Sequence, residues 1–377
     1  MSENPFLIRG YKSGEYFCDR DKETRAIVSN LQNGADTTLI SPRKYGKTGL
    51  ILHAFDQIAR RQLPFETLYV DIFATLSLDD MVKTLAEAIL EKFPERSSIG
   101  KKFMGLLKGL RPILSYDPIT SLPQVQFNFV NTSEQEHTLK SLLTFLNTQK
   151  KQVALAIDEF QQITEYPEKN IEALLRTYAQ QMRNIRFIFC GSKKKIMAEM
   201  FLDANRPFFS STRTLALDKI EYTVYADFIR ERFEKAGIPV EEEALRHILD
   251  WTKRHTFYTQ SLCNEIFAAE PRKVDIAAVN SACLEILERE TTNFLQYREM
   301  LTQQQWRILI AVAKEDKVEK ITSAEFLMKY KIGSATNSRR AIESLMNKEL
   351  ILENTGLEKT SYQVYNVFFS RWLAKQY

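Results

Sequence analysis

Disulfide, zinc and membrane chemistry are all poorly supplied in this chain of 377 residues. Its four cysteines (Cys18, Cys190, Cys263, Cys283) lie far apart and form no CxxC pair, so a disulfide framework and a structural zinc site are both unsupported. The four histidines (His53, His137, His247, His255) are equally scattered, which argues against a histidine-based metal centre. Glycine (12) and proline (11) are scarce, which argues against long flexible linkers. No apolar run approaches the ~18–20 residues that cross a bilayer, and the opening MSENPFLIRG has no signal-peptide core. Together these absences predict a cytoplasmic protein that makes no use of a membrane.

What is present is ordinary globular material, 44% hydrophobic and 27% charged, enough for two or three domains. The net charge of +4 is placed unevenly. Residues 301–377 hold twelve Lys/Arg against eight Asp/Glu, which accounts for the whole excess. A mildly basic C-terminal unit is compatible with nucleic acid without requiring it.

The first two-thirds alternates short apolar runs with amphipathic stretches, the pattern of an α/β fold with a parallel sheet flanked by helices. Candidate strands are Thr37–Ile40, Thr67–Ile72, Val153–Ile157, Arg186–Cys190 and Thr214–Leu217, most without alternation, as strands buried on both faces require. Helices are expected over Lys47–Ala59, Leu78–Phe93 and Glu134–Asn147. The segment Arg111–Val130, with three prolines and an alternating QVQFNFV, reads as an inserted loop or hairpin. From about Glu221 the strand signals stop and YTVYADFIRERFEKAG, VEEEALRHILDWTKRH and VDIAAVNSACLEILERE read as helices of a lid subdomain. Beyond residue 300, three helices, the last capped by Ser334, precede LILENT and SYQVYNV joined through Gly356. This is a winged helix-turn-helix. The expected domains are therefore 1–220, 221–300 and 301–377.

The chemistry centres on SPRKYGKTG. Strand Thr37–Ile40 runs into Ser41, Pro42, Arg43, Lys44, Tyr45, Gly46, Lys47, Thr48 and Gly49, and a helix follows. In a phosphate-binding loop of this kind backbone N–H groups wrap the phosphates, lysine neutralises charge and a hydroxyl holds Mg²⁺. Lys47 and Thr48 supply the last two roles and Gly46 leaves room for the backbone. Ser41 stands where such loops start with glycine, while Arg43 is either a loop stabiliser or a phosphate-proximal cation. Downstream, KQVALAIDEF places Asp158 and Glu159 at the end of a buried strand. Asp158 is expected to orient the metal (with Thr48) or its water, and Glu159 to polarise the attacking water. The plainer reading is an acidic pair capping the next helix. A further strand, IRFIFC, ends at Ser192, which would touch the γ-phosphate or the lytic water if its strand lies beside the Asp-Glu strand.

The order FCDRDKE, SPRKYGKT, LYVDIF, LAIDEF, FIFCGS, RPFF, HTFYTQSLC and SYQVYNVFFSRWL resembles the archaeal-type ATPase family, of the signal-transducing (STAND) branch near the AAA+ ATPases. The resemblance covers nearly the whole chain. It implies ATP and Mg²⁺ as cofactors, with a P-loop NTPase domain, a helical lid and a C-terminal winged helix. It also implies that Phe17 to Arg20 lie near adenine and ribose, and that Arg206 sits where an arginine finger can act. Arg206 in a surface ion pair is the alternative. Two departures stand out: Ser41 in the loop, and Arg254-His255-Thr256-Phe257-Tyr258 where the family carries Gly-x-Pro-aromatic, leaving His255 as the candidate phosphate or base neighbour. On the winged helix, Arg339, Arg340 and Lys348, with Asn337 and Ser338, would contact DNA, or else form a solvated face on a regulatory domain. Three functions are therefore in play: a Mg²⁺-dependent ATPase switch, a nucleotide-controlled DNA-binding protein, and an ATP-binding scaffold without turnover. ATP and ADP are the expected small-molecule partners. An unidentified protein partner and a homo-oligomer are compatible with all three.

Overall fold

The structure, a computed structural model, describes residues 3–110, 112–355 and 359–377. The expected turn at Gly356 and the first residue of the insert, Arg111, lie outside the described residues. The chain forms two units, one spanning Arg9–Lys219 and the other Ile220–Tyr377 together with the segment up to Ile8.

In the first unit, α1 (Asp21–Gln32) precedes β1 (Thr37–Ile40), α2 (Lys47–Arg60), β2 (Phe65–Asp71), α3 (Leu78–Lys92) and α4 (Ser98–Leu110). Next come the hairpin β3 (Ile113–Tyr116) and β4 (Pro123–Gln126), then α5 (Thr132–Asn147), β5 (Gln152–Asp158), α6 (Ile171–Gln181), β6 (Ile185–Gly191), α7 (Lys194–Leu202) and β7 (Arg213–Ala216). Five strands make one sheet in the order β2-β5-β6-β1-β7, with every neighbour parallel. The strand that ends at the Gly191-Ser192 turn therefore lies between the loop strand β1 and the Asp-Glu strand β5.

Strand parity then sorts the side chains, because successive residues point to opposite faces. Leu68, Val70, Val153, Leu155, Ile157, Phe187 and Phe189 pack with α3, α5, α6 and α7. Phe65, Tyr69, Ala154, Ala156, Ile188 and Cys190 pack on the other face with α1 and α2. The insert is a hairpin, antiparallel from Ile113↔Gln126 to Tyr116↔Pro123. Its alternation is real: Val125 and Phe127 are buried while Gln126 is exposed.

The second unit contains α8 (Tyr222–Lys235), α9 (Glu242–Trp251), α10 (Thr256–Ala268) and α11 (Ile276–Met300). The winged helix follows as α12 (Gln303–Glu315), α13 (Ala324–Lys329), α14 (Ala335–Asn347), β8 (Ile351–Thr355), β9 (Thr360–Val364) and α15 (Val367–Gln376). Its starts are set by side-chain caps. Thr302 forms a capping box with Gln305, and Ser334 accepts from the Asn337 N–H. Phe368, Phe369 and Trp372 of α15 are buried. Phe369 packs on Phe294 of α11 (5.1 Å) and Trp306 of α12 (5.8 Å). Among the described residues no helix is long and apolar enough to cross a membrane.

Candidate functional site

The carboxyl ends of β1, β5 and β6 carry the polar groups singled out in the sequence. β1 stops at Ile40, and α2 opens at Lys47 with Gly46 as its N-cap at φ 90°. That left-handed value is one that glycine reaches without Cβ strain. Lys44 (φ 65°) is the other left-handed residue of the loop, and Ser41 is not among them. Serine at position 41 therefore imposes no left-handed backbone strain. Its side chain is fully buried, with Oγ donating to the Pro42 carbonyl at 3.1 Å. The buried Lys47 ammonium donates to the Ser41 and Pro42 carbonyls, each at 3.2 Å. The lysine is thus folded into its own loop, where a phosphate would offer stronger, charged acceptors.

Asp158 is the hub. Its Oδ2 accepts from the Thr48 hydroxyl at 2.7 Å and from the Tyr69 hydroxyl at 2.7 Å, and its Oδ1 accepts from the Glu159 N–H at 2.9 Å. The Cys190 thiol lies on the same face of β6, where the carboxylate acts on it electrostatically. Tyr69, Asp158 and Cys190 meet because they share the α2-facing parity of their strands, and the small Ala154 and Ala156 leave that face open. Burial and the adjacent carboxylate push the Tyr69 hydroxyl and the Cys190 thiol well above their ordinary ranges, so both stay protonated as donors. Asp71 stands level with Asp158 across the β2–β5 ladder, and burial raises its carboxyl as well.

Glu159 follows at φ 54°, a left-handed conformation that a non-glycine residue adopts only when its surroundings hold it. The next residue supplies the hold. Phe160 is fully buried, 4.5 Å from Phe189 and 5.4 Å from Phe208 between ring centroids. The Glu159 carboxylate accepts from the Ser192 hydroxyl at 2.7 Å and the Gln161 amide at 2.5 Å, and Ser192 in turn accepts from Arg43 Nε at 3.3 Å. Arg43 thus links the loop to the end of β6.

The remaining expected site residues have specific partners. Phe17 stacks on His53 (4.4 Å between centroids), and a Cβ added at Gly49 would stand 3.4 Å from the Phe17 ring. Arg20 is buried and donates to Glu23 (3.0 Å) and to the Asp218 carbonyl (2.6 Å), so its guanidinium pins the chain after β7. Burial, then Asp218, raises the Tyr45 hydroxyl, whereas Lys44 is exposed. Both Nε and Nη2 of Arg206 donate to Glu172 on α6, the ion-pair arrangement anticipated as its alternative. His255 belongs to the other unit, where it occupies the N-cap position of α10 without a side-chain cap and is buried against Tyr258 at 4.6 Å. On the winged helix, Asn337, Arg339, Arg340 and Lys348 are exposed. Ser338 corrects its expected DNA contact: it is fully buried, with its hydroxyl donating to the Ser334 carbonyl at 2.8 Å.

Tyr69, Gln161 and Cys190 were missed from the sequence. The available signal was parity in LYVDIF and FIFCGS, where Tyr69 and Cys190 fall on the face that carries Asp158. Among the described residues no group of three or more His, Cys, Asp or Glu could hold a metal ion. The oxygen pair that could take part in holding one is Thr48 with Asp158.

Solved structures share this architecture. The Walker-type ATPase of Pyrococcus abyssi matches with a TM-score of 0.67 at 16% identity, over 98% of this chain and 99% of that one. Aeropyrum pernix ORC2, solved as ADPNP–ADP complexes, matches at 0.61 and 15%, over 99% and 96%. Aeropyrum pernix ORC1 in complex with DNA matches at 0.54 and 13%, over 99% and 97%. At these identities the likeness concerns the fold. No curated protein matches the sequence. A family model described as "probable winged helix domain" matches residues 292–375. The model of an ATPase domain predominantly from Archaea matches residues 17–254, from Phe17 through the loop, Asp158 and Ser192 to Arg254. With well over half its length so matched, and the loop, acidic pair and β6 end brought together as that fold requires, the chain belongs to the archaeal-type P-loop ATPase family and carries a C-terminal winged helix.

Proposed function

We propose that the protein is an ATP-binding, Mg²⁺-dependent nucleotide switch of the STAND type, whose slow basal hydrolysis a partner stimulates. One observation carries the reading. Thr48 and Asp158, 110 residues apart in sequence, meet at 2.7 Å at the head of α2. The pair fits a magnesium ion, which takes oxygen ligands and needs only one or two from protein when phosphates and water supply the rest. When bound, the ion would neutralise charge on the β- and γ-phosphates. Lys47 exchanges its loop carbonyls for phosphate oxygens, and the first-turn N–H groups of α2 face the same anion. Aeropyrum pernix ORC2, which shares the fold and was solved as ADPNP–ADP complexes, supports nucleotide binding.

Slow turnover follows from Glu159. Ser192 and Gln161 both donate to its Oε2 and so fix the direction in which the carboxylate faces, and its left-handed backbone is held by the Phe160 cluster. A partner that draws Ser192 or Arg43 toward nucleotide would release it. In this reading residues 1–220 hold the nucleotide, 221–300 act as a lid and 301–377 carry the output. The test is nucleotide content and hydrolysis of the purified protein, with and without DNA. Glu159→Gln is expected to retain ATP while turnover falls by about 100- to 10,000-fold. Wild-type protein that binds neither ATP nor ADP overturns the reading, and ATP binding with no turnover under any condition leaves a scaffold.

A second reading, DNA binding as the output, rests on the exposed Arg339 and Arg340 of α14 and on the DNA complex of Aeropyrum pernix ORC1. Duplex affinity should then fall steeply with salt and drop further in Arg339→Ala/Arg340→Ala. Salt-insensitive binding, or none, removes it.

A further inference from the structure

Three hydrogen-bond donors converge on Asp158, and they differ in what they can do once a cation arrives. The Glu159 N–H is main chain and stays with Oδ1. Thr48 and Tyr69 share Oδ2, each at 2.7 Å. Thr48 can offer its lone pairs to a cation while its one O–H still donates to Asp158, so a single side chain has to satisfy both partners at once. Tyr69 has no such second task.

We propose that Tyr69 is a positioning residue that holds the Asp158 carboxylate in its metal-facing orientation, alongside Thr48, whose lone pairs serve the cation. The proposal rests on the reading above that Thr48 and Asp158 hold Mg²⁺. The fold prepares Tyr69 for the role. Residues Phe65 to Asp71 of β2 are in parallel register with Gln152 to Asp158 of β5, so the two backbones are fixed against each other up to the site. Tyr69 lies level with Ala156, two residues before Asp158 and on the same face. The alanine side chain leaves the phenol ring room to lean along the strand and present its hydroxyl to Oδ2. A shorter hydroxyl residue at position 69 would not span that distance, and phenylalanine would fill the space while donating nothing. Groups that orient a metal-binding side chain typically tune metal affinity by about 10- to 100-fold, and Tyr69 is placed to act in that way.

The test separates positioning from simple packing. Binding of a non-hydrolysable fluorescent ATP analogue is measured for wild type, Tyr69→Phe and Asp158→Asn, in EDTA and across a Mg²⁺ titration, with the melting temperature of each ligand-free protein. Tyr69→Phe is expected to raise the half-saturating Mg²⁺ concentration about 10-fold, with affinity in EDTA and the melting temperature close to wild type. An unchanged Mg²⁺ midpoint in Tyr69→Phe, alongside a raised one in Asp158→Asn, overturns the role of Tyr69 and spares the metal reading. Equal losses in EDTA and in Mg²⁺ show a packing role and overturn the proposal. If Asp158→Asn itself leaves the Mg²⁺ dependence intact, the metal reading fails and the proposal falls with it.

Discussion

The two ends of the parallel sheet are both rich in buried polar groups, but they spend them differently. At the amino end, side chains serve the backbone. Asp36 accepts from the Phe187 N–H at 2.8 Å, and Asn184 donates to the carbonyls of Gln149 (2.9 Å) and Lys151 (3.1 Å). Asn30 is the exception, its side chain linking those of Thr37 and Arg213 at 3.0 Å on each side. At the carboxyl end, side chains mostly meet other side chains: Thr48 and Tyr69 with Asp158, Ser192 and Gln161 with Glu159, Arg43 with Ser192. Backbone partners cannot leave without opening the sheet, so the amino end is structural. Side-chain partners can be exchanged for phosphate, metal or water while the fold stands. Burial alone does not mark a site; exchangeable partners do.

The sharpest way to break this comparison is Lys47→Ala. Its ammonium bonds two loop carbonyls, and what these charge-assisted hydrogen bonds contribute is offset by the cost of burying the charge, so the variant should fold with stability within about 2 kcal/mol of wild type. Its nucleotide affinity should fall at least about 100-fold, roughly 2.7 kcal/mol, because a charged phosphate contact is lost. Calorimetric titration with ADP and a denaturant melt on the same sample measure both. A variant that loses several kcal/mol of stability while binding ADP normally would make the carboxyl end structural too.

The same distinction explains what the sequence revealed and what it hid. β1 is found at Thr37–Ile40 as expected, and the other four strands of the large sheet lie within about two residues of their expected bounds; β1, β5 and β6 read as apolar runs buried on both faces, whereas β7 is largely exposed. Helices α1, α4, α6, α7 and α10 were not read as helices. In α10, Tyr258, Thr259, Gln260, Leu262, Cys263, Ile266 and Phe267 are all buried, so no single apolar stripe marks it. Among the site residues, Lys47, Thr48, Asp158, Glu159 and Ser192 were legible, since each sits at a strand end or a helix start whose chemistry is local. Tyr69, Gln161 and Cys190 were not, because their roles depend on the order β2-β5-β6, which no local pattern encodes. The long side chains of Arg20 and Arg206 were hardest, as their partners are chosen by tertiary packing.

The amino end offers the subtler test, through Asp36. Burial pushes its carboxyl up to about 6, against the pull of the Phe187 N–H and of Arg186 and Arg176. The folded protein therefore holds this proton more tightly than the unfolded chain, whose aspartate titrates near ~3.9. The sign follows directly. Asp36 contributes stability below about pH 4, and that contribution is lost as pH rises through about 6. Two pH units correspond to at most about 3 kcal/mol. Asp36→Asn keeps an oxygen for the Phe187 N–H and removes the charge that burial penalises. Its stability should exceed that of wild type at pH 7 by about 1–3 kcal/mol, and the difference should shrink toward zero by about pH 4. Nucleotide affinity should not change, since the group lies at the opposite end of β1 from the loop. Denaturant melts of both proteins across this range read the difference directly, and other carboxylates with raised values, such as Asp71 and Glu87, cancel between them. A constant difference from pH 4 to 7 would mean that Asp36 is ionised throughout and that its hydrogen bond, not its burial, governs the amino end. A matching change in ADP affinity would show that the two ends of the sheet are coupled.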